Sequence, residues 1–98
     1  MIEMNLDSIE VTILRNLLFN EEFLRKVVPF IKSEYFENIN QKIIFEEVVN
    51  FVQQYNKPVT KEILCIEIEK RSDINDSTYQ EITKLISYFE DDKSEFMW

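Results

Sequence analysis

The 98-residue chain contains no glycine and no histidine, and only two prolines and one cysteine. All-β folds need glycine-rich turns about every ten residues, so the lack of glycine favours helices joined by polar linkers. A phosphate-binding P-loop needs glycine, while Ser-His-Asp triads, Cys/His zinc sites and the usual general base need histidine. We therefore expect an all-α protein that is not an enzyme and that holds no cofactor or metal.

Long apolar runs and secretion signals are also missing. No apolar run approaches the roughly 18 residues that span a membrane, and the start, Met1-Ile2-Glu3-Met4-Asn5, lacks the pattern of a signal peptide. Cys65, between Leu64 and Ile66, is expected to be a small core residue. These features predict a cytoplasmic protein without membrane contacts.

The charge balance is acidic. Nineteen acidic and eleven basic residues give a formal charge of -8, which opposes the phosphate backbone of DNA and predicts no tight binding of nucleic acid. A hydrophobic content of 45% and a charged content of 31% are typical of a folded protein. A chain of this length has room for one core, so we expect a single domain over residues 1–98.

Apolar residues recur at helical spacing and predict a compact bundle of about five helices. The predicted helices cover about residues 7–19, 20–28, 38–56, 60–71 and 77–90. The fourth segment contains Ile66-Glu67-Ile68-Glu69, which alternates like a strand, but a short strand without a partner is unstable, so a helix is favoured. Pro29 should end the second helix.

Polar residues mark the predicted helix starts, where a side chain accepts hydrogen bonds from free amides. The expected N-caps are Asp7 in a capping box with Glu10, Asn20, Ser33 before a short turn, Thr60, and Ser77 or Thr78 in overlapping capping boxes.

The aromatic residues at helical spacing are expected to be core residues, not a platform for stacking bases. They are Phe23, Phe30, Phe45, Phe51 and Phe89. The adjacent Tyr35 and Phe36 are expected to fold back onto the same core, with the alternative that Tyr35, like Tyr88 and Trp98, anchors an interface.

Adjacent acidic residues on a helix project about 100° apart, so they are not expected to converge on one substrate. Glu21-Glu22, Glu46-Glu47 and Asp91-Asp92 should form solvated faces, and the basic pairs Arg25-Lys26 and Lys70-Arg71 should be solubilising charge. The run that starts at Asp73 resembles the beginning of a calcium loop, but Thr78 replaces the required glycine and Lys84 the bidentate glutamate. We expect no calcium site there.

Three strings carry a family resemblance. Leu17-Leu18-Phe19-Asn20-Glu21-Glu22-Phe23, Lys26-Val27-Val28-Pro29-Phe30 and Ser33-Glu34-Tyr35-Phe36-Glu37 stand in the order seen at the start of DnaB-type hexameric replicative helicases. The second and third strings resemble most the T-even phage branch, which has a KVxPY-x-x-SEYFE string at this place. Ile44-Phe45 in a long helix and Tyr55-x-x-Pro58 continue the pattern.

The resemblance implies the globular head of a helicase N-terminal domain, a fragment without the helical hairpin and the ATPase motor, where ATP and magnesium would bind. It implies collar assembly with neighbouring subunits and binding to primase and helicase loader. Phe96, Met97, Trp98 and Tyr88 are candidate protein-binding residues, because large apolar groups beyond the last helix favour an interface. A free-standing acidic phage protein that inhibits a host factor or mimics DNA is an alternative.

Overall fold

The computed structural model describes residues 9–89, and this part of the chain is helical throughout, without a strand. Five α-helices and one 3-10 turn follow one another along the chain. They are α1 (Ile9–Phe19), α2 (Glu21–Val27), the 3-10 turn (Ser33–Tyr35), α3 (Ile39–Tyr55), α4 (Lys61–Glu69) and α5 (Asp76–Ser87). The predicted all-α fold of about five helices is therefore confirmed, and the ambiguous fourth segment is a helix.

Side-chain caps fix where most of these helices begin. The Asn20 side chain accepts a hydrogen bond from the Phe23 amide at 3.0 Å, and the Thr60 hydroxyl accepts one from the Ile63 amide at 3.2 Å. Both caps were predicted from the sequence. The Asn38 side chain caps α3 by accepting from the amides of residues 40 and 41.

Two predicted caps are wrong. Helix α5 is capped by Asn75, whose side chain accepts from the Thr78 amide at 2.8 Å, so Ser77 and Thr78 already lie in the first turn. Ser33 is not a side-chain cap either, because the 3-10 turn is closed by backbone bonds from Tyr35 and Phe36. Short polar side chains cluster at both places, and spacing alone does not select among them. The predicted cap at Asp7 lies outside the described residues.

The core lies around α3, which contacts α1, α4, α5 and the 3-10 turn. A central helix covered on several sides needs a wide apolar stripe, as predicted for this segment. Phe45 and Leu85, both expected to be interior, are 4% and 7% exposed. The side chains with no exposed surface come from every helix, and they are Leu14, Leu17, Leu24, Ile44, Val48, Leu64, Ile68 and Ile82.

Most of the predicted aromatic core is confirmed, with two exceptions. Phe45, Phe51 and Phe89 are buried, Phe23 packs partly buried against the core, and the Phe36 ring lies 5.1 Å from that of Phe45. Phe30, however, is 75% exposed and Tyr35 is 58% exposed. The Phe30 amide donates to the carbonyl of Val27 in a turn after α2, so helical spacing no longer sets the direction of its side chain.

Candidate protein-binding site

An open groove of about 610 Å³ lies where three parts of the chain meet: the segment after α2, the middle of α3 and the connection from α4 to α5. Its lining combines apolar side chains with charges of both signs. The lining residues are Ile31, Lys32, Ser33, Phe45, Glu46, Glu47, Val49, Asn50, Lys70, Arg71, Ser72 and Asp73. Concave surfaces with a few convergent charged groups are typical of binding sites.

A charged cluster centred on Arg71 forms part of this groove. The Arg71 guanidinium contacts Glu47 at 2.8 Å and Glu46 at 3.3 Å, both on α3. It also binds Asp73 through both carboxylate oxygens, at 2.9 and 2.7 Å. The side chains of Arg71 and Glu47 are only 17% and 13% exposed. This Arg71 cluster therefore ties the α4–α5 connection to the central helix.

The cluster corrects two predictions. Glu46 and Glu47 were expected to be a solvated face without convergence, yet both contact one guanidinium. Adjacent carboxylates diverge on the helix, but a guanidinium presents its N–H groups in several directions, and each carboxylate meets a different nitrogen. Arg71 was expected to be free solubilising charge, and it is instead a half-buried structural ion. Lys70 fits the prediction, because its side chain is 67% exposed.

Arg25, expected to be solubilising charge, has a structural role as well. Its guanidinium donates to the side-chain and backbone oxygens of Asn56, both at 3.1 Å, and to Glu21 at 2.9 Å. Asn56 ends α3 with a left-handed φ of 55°, a conformation that asparagine tolerates better than most residues. Arg25 thereby joins α2 to the end of α3.

The Arg71 cluster shifts the pKa values of its carboxyl groups in opposite directions. The hydrogen bond from Arg71 holds the pKa of the Asp73 carboxyl below its usual range, and the same bond raises the pKa of Arg71. Burial is the largest influence on Glu47 and raises the pKa of its carboxyl, with Glu67 and Glu46 acting in the same direction and the Arg71 guanidinium in the opposite one. Three carboxylates around one guanidinium leave two formal negative charges when all are ionised. The lining also contains Lys32 and Lys70, so the groove as a whole is formally neutral.

Two exposed aromatic residues border the groove along the chain. Phe30 directly precedes the lining residues 31–33 in the sequence and Tyr35 follows them, but neither is itself a lining residue. We call this pair of exposed residues the aromatic rim. Exposed aromatic side chains beside a groove are typical anchors of protein interfaces. Phe30 was expected in the core, and for Tyr35 both a core position and an interface anchor were left open. The sequence feature that could have indicated the exposure of Phe30 is Pro29, because a proline breaks the helical register immediately before it.

Of the site residues predicted from the sequence, Tyr88 is the one within the described residues. Tyr88, just after α5, is 48% exposed but does not line the groove. Phe96, Met97 and Trp98 lie outside the described residues. Within residues 9–89, no group of three or more His, Cys, Asp or Glu side chains is arranged to hold a metal ion. In the same range, no helix is long and apolar enough to cross a membrane.

Comparison with known proteins identifies the class of this five-helix domain. The family model described as "DnaB-like helicase N terminal domain" matches residues 3–94, so the chain belongs to that family. The chain is also 29% identical over 86 residues to a DnaB-like replicative helicase of Enterobacteria phage T4. The resemblance predicted from the three sequence strings is thereby confirmed, including the phage branch.

The match covers 88% of this chain but 18% of the phage T4 protein, so the chain spans less than a fifth of its relative's length. No solved structure matches the chain. The family assignment favours the helicase interpretation over the alternative of a free-standing acidic inhibitor or DNA mimic.

Proposed function

We propose that this chain acts as the N-terminal domain of a replicative DNA helicase and binds other replication proteins through the groove and its aromatic rim. Neighbouring helicase subunits, primase and helicase loader are the proposed partners, as in collar assembly. Membership in the DnaB-like N-terminal domain family carries this proposal. ATP hydrolysis and unwinding would belong to a motor domain of the whole protein.

The geometry of the groove supports a protein partner. Phe30 is 75% exposed and Tyr35 is 58% exposed, so the aromatic rim offers a large apolar area that the described part of the domain leaves uncovered. Aromatic anchors of this kind supply much of the binding energy at protein interfaces. The open groove beside them offers both apolar contacts and ionic partners.

Binding to purified loader and primase from the same phage or host system tests the proposal. Biolayer interferometry with the wild-type chain should give measurable affinity for at least one of them. Phe30→Ala should weaken that binding by about 1 to 2 kcal/mol, roughly five- to thirtyfold, if the rim is a hot spot.

Two other variants locate the surface. Ile66→Ala removes a comparably exposed apolar side chain from α4, away from the groove, and should leave the affinity unchanged. Tyr88→Ala tests the site predicted from sequence at the end of α5. If Tyr88→Ala loses binding and Phe30→Ala keeps the wild-type affinity, the interface lies at the end of α5 instead of at the groove. Absence of binding to both proteins would contradict the proposed function.

A further inference from the structure

We propose that the connection between α4 and α5, residues 70–75, is a strap that opens while the five helices stay folded, and that Arg71 holds it closed. The strap forms one wall of the groove, because residues 70–73 belong to its lining. Its opening widens access to the lining residues on α3. This motion is a property of the chain alone, so it goes beyond the proposed function and holds whichever partner the groove receives.

Most side chains of the strap are exposed and make only local contacts. The exposed ones are Lys70, Ser72, Asp73 and Asn75. Lys70 pairs with Glu67 at 3.3 Å, and the Asn75 side chain accepts from the Thr78 amide at 2.8 Å. Both contacts stay within one helical turn of the chain, so neither ties the strap to α3. Segments with few buried contacts are those that open locally in folded proteins.

Two side chains attach the strap to the rest of the fold. Arg71 donates to Glu47 at 2.8 Å and to Glu46 at 3.3 Å, both on α3. Within residues 9–89, no other hydrogen bond joins the strap to α3. Ile74 is partly buried and packs against the core. Loss of the Arg71 contacts therefore leaves Ile74 as the attachment of the strap.

The contacts of Arg71 are strong enough to control such an opening. Arg71 is 17% exposed and Glu47 is 13% exposed, so water screens their ion pair less than a surface pair. A hydrogen bond to a charged group changes an equilibrium constant by about ten- to hundredfold. The bidentate pair of Arg71 with Asp73 joins two residues of the strap itself, so it can persist in the open state and adds nothing to the attachment.

Amide hydrogen exchange on the ¹⁵N-labelled chain, corrected for intrinsic exchange rates, measures the opening. The strap reporters are the hydrogen-bonded amides at its two ends, those of Lys70, Arg71 and Thr78. The core reporters are the amides of Val48 and Phe51, two buried residues of α3. We expect the strap reporters to exchange at least about tenfold faster than the core reporters, because a local opening is enough to expose them.

A core variant separates local opening from unfolding of the whole domain. Leu17 has no exposed surface and lies on α1, so Leu17→Ala weakens the core at a distance from the strap. It should speed exchange of the core reporters by about tenfold or more and leave the strap reporters within about twofold of wild type. Ile86→Val, at the opposite end of α5 from the strap, makes the same test with a milder change if Leu17→Ala fails to fold.

Variants of the strap test the role of Arg71. Arg71→Ala should speed exchange of the strap reporters by about ten- to hundredfold. Lys70→Ala removes the neighbouring cation, whose ion pair is local, and should change exchange by less than about twofold. Arg71→Lys keeps the charge and loses the multidentate geometry, so it should give a smaller increase, and it replaces Arg71→Ala if that variant fails to fold.

Three results would overturn the inference. Strap reporters as slow as the core reporters in the wild-type chain, or an equal response of both sets to the core variant, would show that residues 70–75 open only when the whole domain unfolds. Strap exchange that stays at the wild-type rate in the Arg71 variants would show that Arg71 does not hold the strap closed.

Discussion

Replacing Arg71 by alanine is the perturbation with the largest expected effect among the polar residues described above. Arg71 ties the α4–α5 connection to α3, and its loss leaves Glu47, 13% exposed, without its cationic partner at 2.8 Å. A hydrogen bond to a charged group contributes about 1.5 to 3 kcal/mol, and an unpaired half-buried carboxylate adds a desolvation penalty.

The other two carboxylates contribute less to that effect. Glu46 is 36% exposed and Asp73 is 60% exposed, so water screens both of their ion pairs with Arg71. The pair with Glu46 is expected to contribute less than about 1 kcal/mol. We therefore expect Arg71→Ala to lower the free energy of unfolding by about 2 to 4 kcal/mol. For a domain of this size, that is a large share of the total stability.

Urea unfolding followed by circular dichroism measures this change. Lys70→Ala is the matched control, because Lys70 is the adjacent basic residue, is 67% exposed and makes one i,i+3 ion pair at 3.3 Å. Its loss should change the free energy of unfolding by less than about 0.5 kcal/mol. Arg71→Lys keeps the charge but loses the multidentate geometry, and should fall between the two. Equal effects of Arg71→Ala and Lys70→Ala would show that the Arg71 cluster does not stabilise the fold.

Four further predictions concern stability, titration and DNA binding. Phe45→Ala should lower the free energy of unfolding by about 3 to 5 kcal/mol, since Phe45 is 4% exposed, and a near-wild-type thermal melt would contradict this. Asn75→Ala should cost about 1 kcal/mol in urea unfolding by removing the α5 cap. Carboxyl NMR should find the pKa of Asp73 below the ordinary value of an aspartate and the pKa of Glu47 above that of a glutamate. The stability that Asp73 contributes is therefore present at neutral pH and lost as the pH falls through its lowered pKa, while Glu47 acts in the opposite sense. Fluorescence anisotropy should detect no micromolar binding of single- or double-stranded oligonucleotides at moderate salt, because the charge of -8 opposes phosphate.

Much of the fold follows from local rules that the sequence displays directly. The apolar stripe of α3, the Asn20 and Thr60 caps and the stop before Pro29 each depend on residues within one or two turns of one another. Such local features predict where helices lie and which face they bury. Local rules did not predict that Asn75 caps α5 in place of Ser77 or Thr78, because all three side chains are suitable hydrogen-bond acceptors.

The candidate site depends on tertiary contacts, and the sequence did not predict it. Arg71 meets Glu46 and Glu47 across 24 to 25 residues of chain, and only the packing of α4 on α3 brings them together. Phe30 follows Pro29, where the helical register ends, so its direction depends on the turn after α2. Periodicity carries no information at either place, which explains why the core was predicted well and the groove was missed.

NMR mapping of bound loader or primase on the ¹⁵N-labelled chain shows which surface the partner occupies. We expect amide signals around the groove and the aromatic rim, such as those of Phe30, Ile31, Val49 and Ser72, to shift or broaden when the partner is added. The signal of Ile66, an exposed residue of α4, should stay in place. Perturbations confined to α4 or to the end of α5 near Tyr88, with the groove unaffected, would contradict binding through the groove.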